Sequence, residues 1–272
     1  MFYGALKPKI DKRDFSLRAG VGEYPASFQC KNLMPVKNQS SVNSCVAHAT
    51  SSILEALNKA ETNEFVSLST NFIYGMQGVA YGHKDQGMYL RDACKIAKNY
   101  GDATENTIPG NTEQPKCTET LRKQLTDAVY KEACIFHIDS FARCDSETAI
   151  KHALMNYGPV LASVKWYDKY TTKTKTGQIH FDKSSSFGYH AIMVYGWNET
   201  GWLCQNSWGR TWNGDGRFIY PYSEKFEEAW SFVDAKNDAD VVVPNNNKLF
   251  DIFYKIINFI TNFIQDYFKG RE

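Results

Sequence analysis

The feature that most constrains this chain is a change of periodicity near its middle. In CVAHATSSILEALNKA, residues Val46, Ala49, Ile53, Leu54 and Leu57 recur at helical spacing, so a helix opens at or near Cys45. Further helices are expected over 69–80, 88–99 and 145–157, the last capped by Asp145 or Ser146 and stopped by Pro159. The second half instead carries PVLASVKW, HAIMVYGW, GWLCQNSW and GRFIYPY, short runs rich in Val, Ile and aromatics and separated by Gly, Asn and Asp. These read as antiparallel strands. Helices followed by strands predict an α+β protein with two lobes and a cleft where they meet. At 272 residues with 43% apolar content, the chain is long enough for such a core.

Charge excludes some partners. The formal net charge is +1, so no global field favours nucleic acid or an anionic membrane. The seven cysteines form an odd set, which leaves at least one thiol free or paired between molecules, and their spacings match no CxxC zinc pattern. No metal or cofactor is expected. The start MFYGALKPKIDKRDF places Lys and Asp where a secretory signal needs an apolar run, which points to a reducing compartment. Asn38-Gln39-Ser40 is a formal glycosylation sequon inside the loop that precedes Cys45, where a glycan would obstruct.

Both ends stand apart. Residues 1–27 are charged, carry Gly20, Gly22 and Pro25, and show no sustained period, as expected of an extended arm. After Asp240, VVVPNNN reads as a linker and LFDIFYKIINFITNFIQDYFKGRE as one amphipathic helix, with residues 237–272 forming a carboxy-terminal extension. Asp251, Lys255, Asp266 and Lys269 interrupt its apolar face and exclude a bilayer span. Packing on the body or on a second subunit is the expectation, ahead of a membrane surface, because its polar side lacks a Lys/Arg excess.

The chemistry lies in four residues. A thiol attacks an amide as thiolate, which requires a lowered pKa, a nearby imidazole and donors for the oxyanion. Cys45, at a helix start, has the helix's partial positive charge. Gln39, six residues upstream, can donate to the oxyanion together with the Cys45 backbone amide. His190, at the head of an apolar strand, supplies the base, and Asn206, sixteen residues later, can hold its other ring nitrogen. Trp208 beside it would shield that bond from water.

The order Gln, Cys, His, Asn-Ser-Trp-Gly resembles the papain (C1) family of cysteine peptidases, cathepsin-like, in the form found in bacteria and large DNA viruses. Gln39–Ala49 is similar to the family's Gln-Gly-x-x-Gly-Ser-Cys-x-Ala segment, His190-Ala191 to its Gly-His-Ala, and Asn206-Ser207-Trp208-Gly209 to its Asn-Ser-Trp-Gly. LSTNFIY at 68–74 and DQGMYLRDACKIAKNYG also resemble family segments. The resemblance implies a papain-like two-lobe fold over 28–236, with a helical left lobe (28–133), an antiparallel, barrel-like right lobe (134–236) and the active-site cleft between them. It implies a cysteine-type endopeptidase acting on polypeptide substrates through an acyl-enzyme, with Cys45, His190, Asn206 and Gln39 as its machinery. Gln86 and Gly87 fall on the substrate loop, Tyr189 beside the histidine, and Ser163 and Ala191 on the pocket two residues before the cut. A catalytically silent binding protein, or an acyl transferase or amidase of the same constellation, are the alternatives. The retained Gln, Cys, His and Asn disfavour the first, and Asn-Ser-Trp-Gly with the upstream Gln disfavours the second.

The departures from the family pattern are local. Val42 stands where the family has a disulfide-bonded cysteine, Ser40 and Asn43 replace glycines, and Val46 replaces an aromatic residue. Among these, Asn43 is the side chain best suited to positive φ. The paired histidines of an occluding loop are not recognisable, which favours endopeptidase action. Residues 1–27 are too few for the family's helical prosegment and are expected to lie along or near the cleft. The wealth of Asn, Lys, Ile, Phe and Tyr fits an AT-rich genome.

Overall fold

The periodicity of the first half becomes helix α1 (Cys45–Thr62), whose Val46, Ala49, Ile53, Leu54 and Leu57 are all buried. A computed structural model describes residues 3–18, 23–110, 117–173 and 177–233; the expected linker and carboxy-terminal helix lie outside the described residues. Helices α2 (Thr70–Tyr81) and α3 (Leu90–Asn99) pack beside α1. Two helices escape the periodicity argument, α4 (Cys117–Gln124) and α5 (Asp127–Ala133). They are short and polar, and each buries only two side chains, so no apolar stripe announces them. Helix α6 (Glu147–Asn156) starts at Ser146, whose hydroxyl accepts from the Ala149 amide, and ends before Gly158-Pro159.

Among the described residues, nine strands form one sheet. They are β1 (Phe28–Gln29), β2 (Ser140–Arg143), β3 (Val160–Tyr167), β4 (Tyr170–Lys173), β5 (Gln178–Phe181), β6 (Phe187–Asn198), β7 (Gly201–Gln205), β8 (Arg217–Pro221) and β9 (Glu228–Val233). The order is β2-β9-β3-β6-β7-β8-β5-β4, with β1 on β6, and all pairings are antiparallel except β5 with β8. The barrel-like right lobe expected above is corrected: the sheet is open, running from β2 at one edge to β4 at the other. Strand β1 also belongs to this sheet, pairing Phe28 with Trp197.

Period-two alternation divides the central strands between two cores. On β6, Ala191, Met193 and Tyr195 join the cluster containing α1, α2 and α3, while Ile192 and Val194 join the cluster containing α6. On β3, Leu161 goes to the first and Val160, Ala162 and Val164 to the second. The central sheet is thus covered on both faces, and α1 packs directly on β6. That contact brings the amino terminus of α1 to the strand that carries His190. All seven cysteines are free thiols.

Candidate active site

Cys45 is the first residue of α1 and His190 lies within β6, and both side chains are completely enclosed. The Cys45 sulfur accepts the Ala191 amide at 3.3 Å, which locks it to the strand at the residue after the histidine. His190 Nε2 lies 2.7 Å from Asn206 Oδ1. The same Oδ1 also accepts the Ser207 amide at 2.8 Å, so Nε2 carries the proton in this bond. In the neutral ring the lone pair is therefore on Nδ1, which is buried without a hydrogen-bond partner and is the nitrogen left for the thiol.

Aromatic rings hold the imidazole. Trp208 stacks on His190 at 4.8 Å between centroids, and Trp166 meets it edge-on at 5.2 Å. Trp166 also meets Trp208 at 4.9 Å, so three rings fix one another. Trp166 carried no signal in the sequence beyond its place in an apolar run; only the sheet register brings it here.

The loop 38–44 that carries Gln39 is laced to the strand-rich lobe. Gln39 N–H donates to the Ser207 carbonyl at 2.8 Å and Gly209 N–H to the Lys37 carbonyl at 3.0 Å. Ser207 Oγ donates to Gln39 Oε1 at 2.6 Å, which turns the carboxamide so that its nitrogen side is fixed, and Nε2 donates to the Val42 carbonyl at 2.9 Å. Ser207 was visible in the sequence only as part of a matching segment. Within the loop it is Ser40, at φ 47°, and not Asn43, that takes the left-handed conformation.

The amino-terminal arm occupies the same place. Ala5 pairs with Met88 in parallel: Leu6 N–H donates to the Met88 carbonyl at 2.9 Å and Met88 N–H to the Gly4 carbonyl at 2.8 Å. Ala5 N–H reaches the Tyr189 carbonyl at 3.2 Å, and the Gly4 and Ala5 amides bear on the Cys45 sulfur. Gly4 is required there, because a Cβ would stand 2.1 Å from the Asn43 carbonyl oxygen. Tyr3 covers Gly188 and donates its hydroxyl to Asp168 at 2.6 Å. Gly87, at φ 113°, also lies under the arm, whereas the Gln86 side chain is exposed; Tyr189 is half-buried. The backbone partner is Met88, two residues past Gln86, a detail that side-chain patterns could not reveal. Ser163 and Ala191 are cross-strand neighbours, both buried.

Enclosure has an electrostatic result. Burial pushes the Cys45 thiol up to about 11 and the His190 imidazole down to about 4, so each is driven towards its neutral form. Among the described residues no group of His, Cys, Asp and Glu is arranged to hold a metal ion, and no helix is long and apolar enough to cross a membrane.

Comparison with known proteins agrees with this geometry. The sequence is 28% identical to cysteine proteinase COT44 of Brassica napus over 77% of this chain and 63% of that protein. It is 29% identical to cathepsin S of Bos taurus over 64% of this chain and 52% of that protein. The chain thus spans between about half and two thirds of these relatives. Xylellain, a cysteine protease from Xylella fastidiosa, superposes with a TM-score of 0.75 at 22% identity, covering 85% of this chain and 96% of its own. The cysteine protease and lectin-like domains of Cwp84 from Clostridium difficile give 0.65 at 20%, covering 85% and 55%. These likenesses establish the two-lobe α+β fold. The family profile described as "Papain family cysteine protease" matches residues 24–229, most of the chain. This chain belongs to the papain family of cysteine proteases.

Proposed function

We propose that this chain is a cysteine-type endopeptidase, held latent by its own first residues. The observation that carries the activity is the bond from His190 Nε2 to Asn206, which leaves Nδ1 for the thiol of Cys45 at the head of α1. In the reaction, the thiol proton passes to His190 Nδ1 and Sγ bonds to the carbonyl carbon of the substrate. The carbonyl oxygen becomes an oxyanion, stabilised by the Cys45 amide and the Gln39 carboxamide. Collapse of that intermediate breaks the C–N bond, and the departing amine takes the proton from His190. Water then attacks the thioester, giving its proton to His190, and the acid leaves as Sγ is released.

Polypeptide is the substrate class. The loop carrying Gln86 and Gly87, with Met88 as backbone partner, accepts an extended strand, as its pairing with the arm illustrates. Tyr189 offers its carbonyl to the same strand, and Trp208 shields the His190–Asn206 bond.

Latency follows from the arm's geometry. It presents amides to the sulfur, and the Gly4 carbonyl is taken by Met88. Residues 11–18 add a second anchor: Arg91 on α3 pairs with Asp14 at 2.6 Å and Asp11 at 3.0 Å, and Leu17 bonds the Arg143 carbonyl at 2.8 Å. The test is peptide-library cleavage by the full chain and by Gly4→Val, which cannot seat the arm. Cleavage by Gly4→Val that is lost on adding Cys45→Ala supports the proposal. No cleavage by either single-chain form would refute the peptidase activity, and equal rates would refute the latency.

A further inference from the structure

His48, three residues past the nucleophile, is buried beside the loop 38–44 and has no role in the chemistry above. Its Nδ1 lies 3.2 Å from Ser44 Oγ and 3.0 Å from the Ser44 carbonyl, and the Asn38 carbonyl also bears on the ring. Burial holds its pKa down at about 4, so the ring is neutral at neutral pH. Both contacts fall on Nδ1: protonated there, the neutral ring donates to the Ser44 carbonyl at 3.0 Å, and in the other tautomer Nδ1 accepts from the Ser44 hydroxyl at 3.2 Å, so in either form the ring engages Ser44.

Ser44 is itself unusual. It is the N-cap of α1, yet its side chain accepts no helix amide, whereas Ser69, Thr126 and Ser146 cap α2, α5 and α6 in the ordinary way. His48 holds the hydroxyl instead. The first-turn amides next to Cys45 are therefore not quenched by a capping oxygen, and their partial positive charge stays available to a thiolate or oxyanion.

The loop is anchored to Ser207 at its Gln39 end, and its other end, at Ser44, is where His48 bears. It has Val42 at its centre, no glycine between 38 and 44, and Ser40 in the left-handed region. Its internal bonds include Ser40 N–H to Asn38 Oδ1 at 2.9 Å, Val42 N–H to the Gln39 carbonyl at 3.0 Å, and Gln39 Nε2 to the Val42 carbonyl at 2.9 Å. His48 engages the end of it at Ser44, immediately before Cys45.

We propose that His48 is a positioning residue, a brace that holds the Ser44 end of the oxyanion loop, keeps the Ser44 hydroxyl off the first-turn amides of α1 and so sets Cys45 in register with Gln39. It acts through Ser44 and touches no reacting atom. The inference rests on the cysteine-peptidase activity proposed above.

Two variants of the full chain test it. His48→Leu fills the space without hydrogen bonds, while His48→Gln keeps one donor and one acceptor. The first measurement is backbone hydrogen exchange over residues 38–47, which requires no turnover. Exchange there rises about tenfold in His48→Leu and returns to within about threefold in His48→Gln, with α2 unchanged in both. The second is steady-state kinetics in a Gly4→Val background: kcat falls about ten- to a hundredfold in His48→Leu with KM within about twofold, and His48→Gln recovers most of it. A loosened loop in a protein that never cleaves peptide would speak against the peptidase activity and for the brace. Exchange and kcat both within about twofold of the parent in His48→Leu would overturn the proposal. So would equal losses in both variants that track a fall in melting temperature, because that is the mark of a purely structural histidine.

Discussion

The floor of the cleft and the arm that crosses it lie within a few ångströms of each other but are held by different bonds. On the floor, the Gln39, Lys37, Ser207 and Gly209 backbones join the lobes, Ser207 Oγ and Gln39 Oε1 meet at 2.6 Å, and His190 meets Asn206 at 2.7 Å. These side chains are enclosed, so breaking one partner strands a buried polar group at a cost of about 1–3 kcal/mol. The arm is held by three backbone bonds at Gly4–Leu6, by the Tyr3–Asp168 and Leu17–Arg143 bonds, and by ion pairs of Arg91 with half-exposed Asp11 and enclosed Asp14. The backbone bonds contribute about 1 kcal/mol apiece and the partly exposed Asp11 pair about 1 kcal/mol or less. The floor is therefore built to persist and the arm to leave.

The largest expected effect tests the floor. Gln39→Ala should lower kcat by about a hundred- to a thousandfold with little change in KM, as removal of an oxyanion donor does elsewhere. Kinetics on the Gly4→Val protein check it; a loss confined to KM would show that Gln39 only binds substrate.

The next effect tests the arm. Gly4→Val should raise the activity of the full chain about tenfold or more, because a β-branched side chain cannot fit where a Cβ stands 2.1 Å from the Asn43 oxygen. Removing the outer anchor should do less. Arg91→Ala should raise activity about two- to fivefold, since it deletes the pairs to half-exposed Asp11 and enclosed Asp14 but leaves the Gly4–Leu6 backbone bonds intact. If Arg91→Ala unlatched the protein as fully as Gly4→Val, the hold would lie in the ion pairs and the contrast drawn here would fail.

The smallest effect is one of pH. Glu228, at the start of β9, is pushed up to about 7 by burial, with Asp14 of the arm and Asp92 adding repulsion. A group whose folded pKa is raised favours the fold below its unfolded pKa, near 4.5, and that contribution is lost as pH rises through about 7. Glu228→Gln, which keeps an acceptor for the Trp230 indole, should raise stability by about 1–3 kcal/mol at pH 8 and leave it unchanged at pH 4. Thermal melts at the two pH values decide it, and an equal shift at both would assign the effect to packing.

Much of this was legible in the residues. The helical spacing of Val46, Ala49, Ile53 and Leu57 announced α1, and the β-branched runs announced β3, β6, β7 and β8, because each has a buried face with a definite period. Strand β9 gave no such sign: Ala229–Val233 are buried on both faces, so alternation is absent, and acidic residues precede it. Strands β4 and β5 are four residues each, too short for a pattern. At the site, Cys45, His190, Asn206 and Gln39 could be picked out by residue type. Met88, Trp166 and His48 could not, since Met88 acts through its backbone and the other two matter only through neighbours distant in sequence.

The most direct test of the whole account is mass spectrometry after treatment with an epoxide thiol-protease inhibitor, comparing the full chain, Gly4→Val and Gly4→Val with Cys45→Ala. One adduct on Cys45, forming at least about tenfold faster in Gly4→Val than in the full chain and absent once Cys45 is removed, is the predicted result. Labelling spread over the other cysteines, or none at Cys45 even with the arm displaced, would contradict it.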